Sequence, residues 1–211
     1  MTNTILEALN WRYAVKKYDA SKKISDSDLH IIKESIRLTP TSYGLQPFHV
    51  LIIENPEIRT KLMEASYGQT PIVDASHLIV FAVDKNLDTS HVDAYMENVA
   101  KTRSLHIDQT KGFGDYIKGA IAPMNESQFI PWNTKQTYIA LGFLLHTVAE
   151  LRIDATPIEG FKIDAYDEIL GLCERGLTST VICPIGYRSV DDKNQFQAKV
   201  RKPQEALFTI L

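Results

Sequence analysis

The chain has 211 residues, is 44% hydrophobic and carries a formal net charge of −3. That supplies one sizeable core, and the charge balance excludes a general attraction to nucleic acid or to an anionic membrane surface. No apolar run reaches the ~20 residues that cross a bilayer, and Cys173 and Cys183 form no C-x-x-C pair, so the expected address is a reducing cytoplasm with both thiols buried.

The stretch Thr4 to Asn10 reads as a short helix with Ile5, Leu6 and Leu9 on one face. The N-terminal residues mix acid and base and show no apolar signal core. Ser25 is expected to cap the next helix, with Asp28 as the capping-box acid and Ile31, Ile32, Ile36 and Leu38 on the apolar side. Then the text turns small, polar and kinked in TPTSYGLQPFHV, Thr39 to Val50. Its Thr41 and Ser42 hydroxyls, Tyr43 ring and Gly44 suit the wall of a site for a flat polar ligand, or an ordinary capped turn.

HVLIIE reads as a buried strand, PEIRTKLMEASYG as a helix closed by Gly68, and SHLIVFAVD as a central strand apolar on both faces. From Lys85 to about Asn133 the chain is polar and mostly helical, with expected breaks at KGFGDY and APMNESQFIPW. This is read as an excursion, at about 85–131, from a single domain spanning 1–211. TKQTYIALGFLLHTVAEL is apolar nearly all round and is expected to be a buried helix, with His146 a core histidine. A strand and turn (RIDATPIEGF), a helix (DAYDEILGL) and a further core strand (TSTVICPIGY) follow. The class is therefore mixed α and β. The apolar end ALFTIL would be a sticky edge unless paired, and a second copy of the chain is the simplest partner.

Four constellations carry possible chemistry. In RYAVKKY, Arg12 and Lys16 share a face and suit an anion such as a phosphate, or form a solvated basic face. Lys199 and Arg201 alternate onto one side of an extended segment in KVRKP. Two basic clusters at opposite ends of an acidic chain gain meaning if the fold joins them. In PIEGF, Gly160 permits close approach to a ligand, and Glu159 offers a carboxylate or a backbone N–H. Gln69 can hydrogen-bond a polar ring edge. Asp74, Ser76 and His77 lack a nucleophile elbow, and His77 is read as structural. Gly112 and Gly114 form no dinucleotide fingerprint, and His91 and His106 are isolated, so no metal is expected.

Taken in order, RYAVKKYD, TPTSYGLQPFHV, DASHLIVFA, TKQTYIALGFLL, ATPIEGF, CPIGYRS and KVRKP resemble the FMN-dependent nitroreductase family, within it the oxygen-insensitive NAD(P)H nitroreductase and dihydropteridine reductase group. The resemblance implies an α+β fold with a central, mostly antiparallel sheet flanked by helices. It also implies an intertwined homodimer with exchanged C-terminal tails and FMN sites built across the interface. Arg12, Lys199 and Arg201 would hold the FMN phosphate, with Tyr13 and Ala14 beside them. Lys16 and Gln69 would face the pyrimidine edge. Thr41, Ser42 and Gly44 would come from the partner, and Pro157 and Ile158 would back the ring. The Glu159 N–H, beside Gly160, would donate to N5. Tyr43, Phe113 and Tyr116 would shape the acceptor pocket. Ala14, Gly68 and Tyr43 stand where the family often has Ser, Asn and a small polar residue. The implied reaction is a ping-pong hydride transfer from NADH or NADPH through N5 to a nitroaromatic, quinone or similar flat acceptor. No protein acid or base is obligatory, and Lys16 and Glu159 tune the ring. The alternative is a non-catalytic FMN-binding or regulatory protein on the same scaffold.

Overall fold

The structure, a computed structural model, describes residues 4–211. Its helices are α1 (Thr4–Trp11), α2 (Asp26–Arg37), α3 (Pro56–Glu64), α4 (Pro71–Asp74), α5 (Thr89–Arg103), α6 (Lys111–Ile121), α7 (Glu126–Glu150), α8 (Ile163–Ile169) and α9 (Gln204–Leu207). The strands are β1 (Phe48–Ile53), β2 (His77–Asp84), β3 (Asp154–Ala155) and β4 (Leu177–Gly186). They form one antiparallel sheet in the order β1-β2-β4-β3. This is an α+β architecture with helices on both faces of the sheet.

Alternation along the central strands builds two cores. Ile79 and Phe81 of β2 pack with Val181, Cys183 and Ile185 of β4 against Ile32 and Ile36 of α2 and Leu141, Leu144 and Val148 of α7. Leu78 and Val80 turn the other way, with Ile182, onto Leu62 of α3 and Tyr166 of α8. A third cluster belongs to the helical excursion: Leu87, Val92, Met96, Ile117, Ile121 and Phe129. Phe129, 1% exposed, supports the excursion from inside.

Several expectations are corrected. β1 is an edge strand, and only Ile53 of its six residues is buried. KGFGDY does not break the excursion; it lies within α6. Helix α7 runs for 25 residues straight through Pro131. The N–H that Pro131 lacks would have met the carbonyl of Ser127, in the exposed first turn, where water serves instead. α7 is buried on one side only. Tyr138, Ile139 and Phe143 are exposed, and His146 lies half-buried beside them, outside the core. Cys173 is exposed, while Cys183 is fully buried. On α1, Ile5, Leu6 and Leu9 are exposed and only Ala8 is buried. On α2, Ile32 and Ile36 are buried but Ile31 and Leu38 are not. α3 ends at Glu64, and Gly68 belongs to the turn after it.

Other local signals act as chemistry dictates. Ser25 accepts from the Asp28 N–H at 3.1 Å and donates to the Asp28 carboxylate at 2.8 Å. His91 and His106 serve in helix caps. Arg59, only 4% exposed, donates to the carbonyls of Ile72, Ala75 and Ser76, which end the single turn α4 before β2 begins. His77 is buried between Ser76 Oγ, 3.0 Å from Nδ1, and Glu54, 3.1 Å from Nε2.

Burial holds the His77 imidazole below its ordinary value of 6.5, against the opposing pull of Glu54. Below that pH the unfolded chain binds a proton that the folded chain resists, so stability falls as pH falls through this window. Denaturant unfolding between about pH 7.5 and pH 5.5 should show this loss, and His77→Asn should flatten the slope.

Candidate functional site

The two ends of the chain meet along a main-chain seam. The Asp19 N–H donates to Tyr187 O at 2.8 Å and the Ser189 N–H to Lys17 O at 2.9 Å. Tyr18, buried, donates to Pro184 O, and Thr156 Oγ1 donates to Val15 O. Arg188 forms a two-pronged ion pair with buried Asp154 and lies over the rings of Trp11 and Tyr13, 4.1 and 4.5 Å from their centroids. These contacts anchor the segment 11–17 beside the C-terminal arm.

The result is a hollow of about 460 Å³ lined by Arg12, Tyr13, Ala14 and Lys16 from one end and Lys199 and Arg201 from the other, with Asn194, Gln195 and Gln197 between. Four cations line it, and among the described residues no carboxylate does. Lys199 Nζ donates to the carbonyls of Leu9 and Arg12 at the C-terminal end of α1, where a cation complements the helix dipole. Burial, and then the charges of Arg12 and Arg201, push the Lys199 pKa down. Burial likewise lowers that of Arg12, with Arg201 adding to the effect and Cys183 opposing it. Arg12 Nε is one of three buried side-chain polar atoms, among the described residues, that lack a hydrogen-bond partner. A desolvated guanidinium with an orphaned donor in a ring of cations is a receptor for an anion with several oxygens. The residues present therefore fit a phosphate group.

A second group forms around the PIEGF turn. Ile158 exchanges backbone hydrogen bonds with Ile182 of β4, which fixes Pro157 and Ile158 against the sheet. Glu159 and Gly160 then leave the sheet and are exposed. Neither of their N–H groups donates a hydrogen bond among the described residues. Gln69 Nε2 donates to Gly160 O at 2.8 Å, so these two predicted positions are neighbours. The Tyr138 hydroxyl of α7 donates to the Glu159 carboxylate, and burial, then this contact, push the Tyr138 pKa up to about 12. With its carboxylate so engaged, the turn offers its peptide N–H groups.

The third group, the loop 41–46, stands on the other side of α7. The Ser42 N–H donates to Gln136 at 3.0 Å, and Gln136 precedes Tyr138 by two residues, about 200° around a helix. Within one chain, then, Ser42 and Glu159 are held on opposing sides of α7. Thr41 Oγ1 accepts from the Gln46 N–H, and Gln46 Nε2 donates to Arg37 O. Tyr43, Gly44 and Gln46 all have positive φ, at 57°, 79° and 46°. The Tyr43 ring packs edge-on against Tyr116 at 6.1 Å and near Trp132 at 6.4 Å. Phe113 stands exposed on α6 and makes no ring contact with Tyr43 among the described residues.

Sequence reasoning missed four supporting residues: Gln136, Tyr138, Arg188 and Asp192. The Asp192 carboxylate accepts from the Tyr13 hydroxyl and from the N–H groups of Lys16 and Lys17. Each of the four acts at a sequence separation of 21 or more, on a partner that no local pattern identifies.

A model described as "Nitroreductase family" matches residues 9–187. A Staphylococcus saprophyticus protein named "Putative NAD(P)H nitroreductase SSP0379" is 38% identical over 97% of this chain and 95% of its own. Among solved structures, a nitroreductase-like protein from Streptococcus mutans has a TM-score of 0.86 at 18% identity, with both chains fully covered. An Exiguobacterium sibiricum protein, described as "a putative nitroreductase in complex with FMN", has a TM-score of 0.83 at 21% identity, covering 98% of this chain and 97% of that one.

Gly44 sits where φ favours glycine, and a Cβ there would collide with the Tyr95 hydroxyl. Gly44→Ala should destabilise the fold by about 1–3 kcal/mol in denaturant unfolding, with part of the loss recovered when Tyr95→Phe is added.

Proposed function

Since the chain belongs to the nitroreductase family, we propose that it is an FMN-dependent NAD(P)H oxidoreductase that reduces nitroaromatics, quinones or related flat acceptors. The observation that carries this reading is the orphaned Arg12 Nε in a hollow where basic residues from both chain ends converge. Arg12, Lys199 and Arg201 bind the FMN phosphate by charge and by guanidinium donors. Bound there, FMN supplies hydride chemistry that side chains lack. Lys16, exposed at the rim, and Gln69 hold a positive charge and an amide at the pyrimidine edge, where negative charge is stabilised. The unpaired N–H of Glu159 is the donor assigned to N5, and Ile158 backs the ring.

The site is completed by a second copy of the chain, which supplies Thr41, Ser42 and Gly44. Three apolar exposures support that assembly: Ile139 and Phe143 on α7, Ile5 and Leu6 on α1, and Phe208 and Ile210 in the tail. Tyr43 and Tyr116 contribute an aromatic wall for the acceptor, with Phe113 nearby on α6. One cleft serves donor and acceptor in turn, so no separate nicotinamide fold is required. The exposed free thiol of Cys173 fits a reducing cytoplasm.

The purified protein should carry a visible flavin band, or acquire one with added FMN. Anaerobic NADH or NADPH should bleach it, and a quinone or nitroaromatic should restore it. A band that neither nucleotide bleaches would identify a flavin-binding protein without turnover. No band after FMN addition would sink the flavin reading.

A further inference from the structure

We infer that Asp192 is the positioning residue that shapes the phosphate end of this site, an inference that rests on the FMN reading above. Asp192 is 2% exposed. Its Oδ2 accepts from the Lys16 N–H at 2.8 Å, the Lys17 N–H at 3.3 Å and the Tyr13 hydroxyl at 3.1 Å. Its Oδ1 accepts from the Asn194 N–H and from Asn194 Nδ2, both at 3.0 Å. One carboxylate thus does two things. It fixes the backbone that runs from Arg12 to Lys16, and it starts the 3-10 turn Lys193–Phe196 that launches the arm carrying Lys199 and Arg201.

The second consequence is electrostatic. Burial alone would raise the pKa of Asp192, yet the N–H groups of Lys16, Asn194 and Lys17 hold it below the ordinary aspartate value. Its charge is balanced by peptide dipoles and a phenol. No lysine or arginine forms an ion pair with it among the described residues; Lys17 Nζ pairs with its neighbour Asp191 at 3.1 Å. The cations lining the hollow are therefore left for a dianionic ligand. A lysine or arginine used to neutralise Asp192 would be one fewer for phosphate.

The test compares FMN with riboflavin, which lacks the phosphate, by flavin fluorescence titration of wild type, Asp192→Asn and Asp191→Asn. An asparagine turns a second donor toward N–H groups that need an acceptor. Asp192→Asn should weaken FMN about tenfold or more and riboflavin less than about threefold, while Asp191→Asn should leave both within about twofold. Equal weakening of both flavins, or no weakening of FMN, overturns the role given to Asp192. Wild-type protein that binds FMN no better than riboflavin overturns the phosphate reading itself and this inference with it, so the two failures are separable. If Asp192→Asn does not fold, Tyr13→Phe removes a single bond to the carboxylate, and it should weaken FMN selectively by about threefold. A parallel loss of both flavins there overturns the inference as well.

Discussion

The molecule depends on a short stripe of buried polar residues on α7, the helix that packs against the central sheet. Asn133, Gln136 and Thr137 of α7 are buried to 3% exposure or less, and each is bonded to another part of the fold. Asn133 Nδ2 donates to Asp84 O at the end of β2. Gln136 accepts from the Ser42 N–H. Thr137 meets Thr180 of β4 at 3.3 Å and returns a bond to Thr134 O. An all-apolar helix can slide or rotate on a sheet at little cost, whereas these hydrogen bonds form in one register only, even though Asn133 Oδ1 has no partner among the described residues. That register places Gln136 under the 41–46 loop and Tyr138 over Glu159. It also leaves Ile139 and Phe143 facing outward.

The convergence at the basic hollow is of a different kind. Arg12, Lys16, Lys199 and Arg201 repel one another, and burial adds a desolvation cost at Arg12 and Lys199. The fold tolerates this because the backbone there is overdetermined. The seam between residues 17–19 and 187–189, the Arg188–Asp154 pair and the Lys199 contacts to α1 hold Arg12 and Lys199 in place, whereas Arg201 is exposed and donates only to Val200 O among the described residues. Cations held close together in advance suit an anion, whose charge offsets their repulsion.

What the sequence made legible follows from this division. Strand β2 was readable because it is apolar on both faces, and β4 because its second half, VICPI, is a continuous apolar run. The two basic clusters were readable as residues, and their meeting was not, since nothing local encodes a pairing across about 180 residues. β1 reads as apolar as a central strand in FHVLII, yet only one of its neighbouring positions in the sheet is filled, a topological fact outside its own letters. Gly112 and Gly114 look like breakers but sit inside α6, where a Cβ at Gly114 would come to 3.0 Å from Met96 Cγ and a Cβ at Gly112 would meet nothing within 4 Å. α7 reads as buried on all sides because Ile139 and Phe143 add a second apolar face to it. That face is simply not used within one chain.

Gly68 shows how backbone shape and side-chain chemistry divide the work at the site. Tyr67 and Gly68 are consecutive left-handed residues, with φ of 56° and 74°, and the Gly68 N–H reaches back to Met63 O. Glycine and asparagine are the residues that occupy this conformation most readily, so Gly68 suits the turn. A Cβ at Gly68 would meet nothing within 4 Å, so its role is conformational and not steric. The turn carries no side chain at Gly68 to bind a ligand. The next residue supplies an amide, since Gln69 leaves the turn to bind Gly160 O, while Arg59 holds the carbonyls of α4 that follow. The left-handed pair thus aims Gln69 at the Glu159–Gly160 turn, and a backbone constraint at the end of a helix becomes a contact within the candidate site.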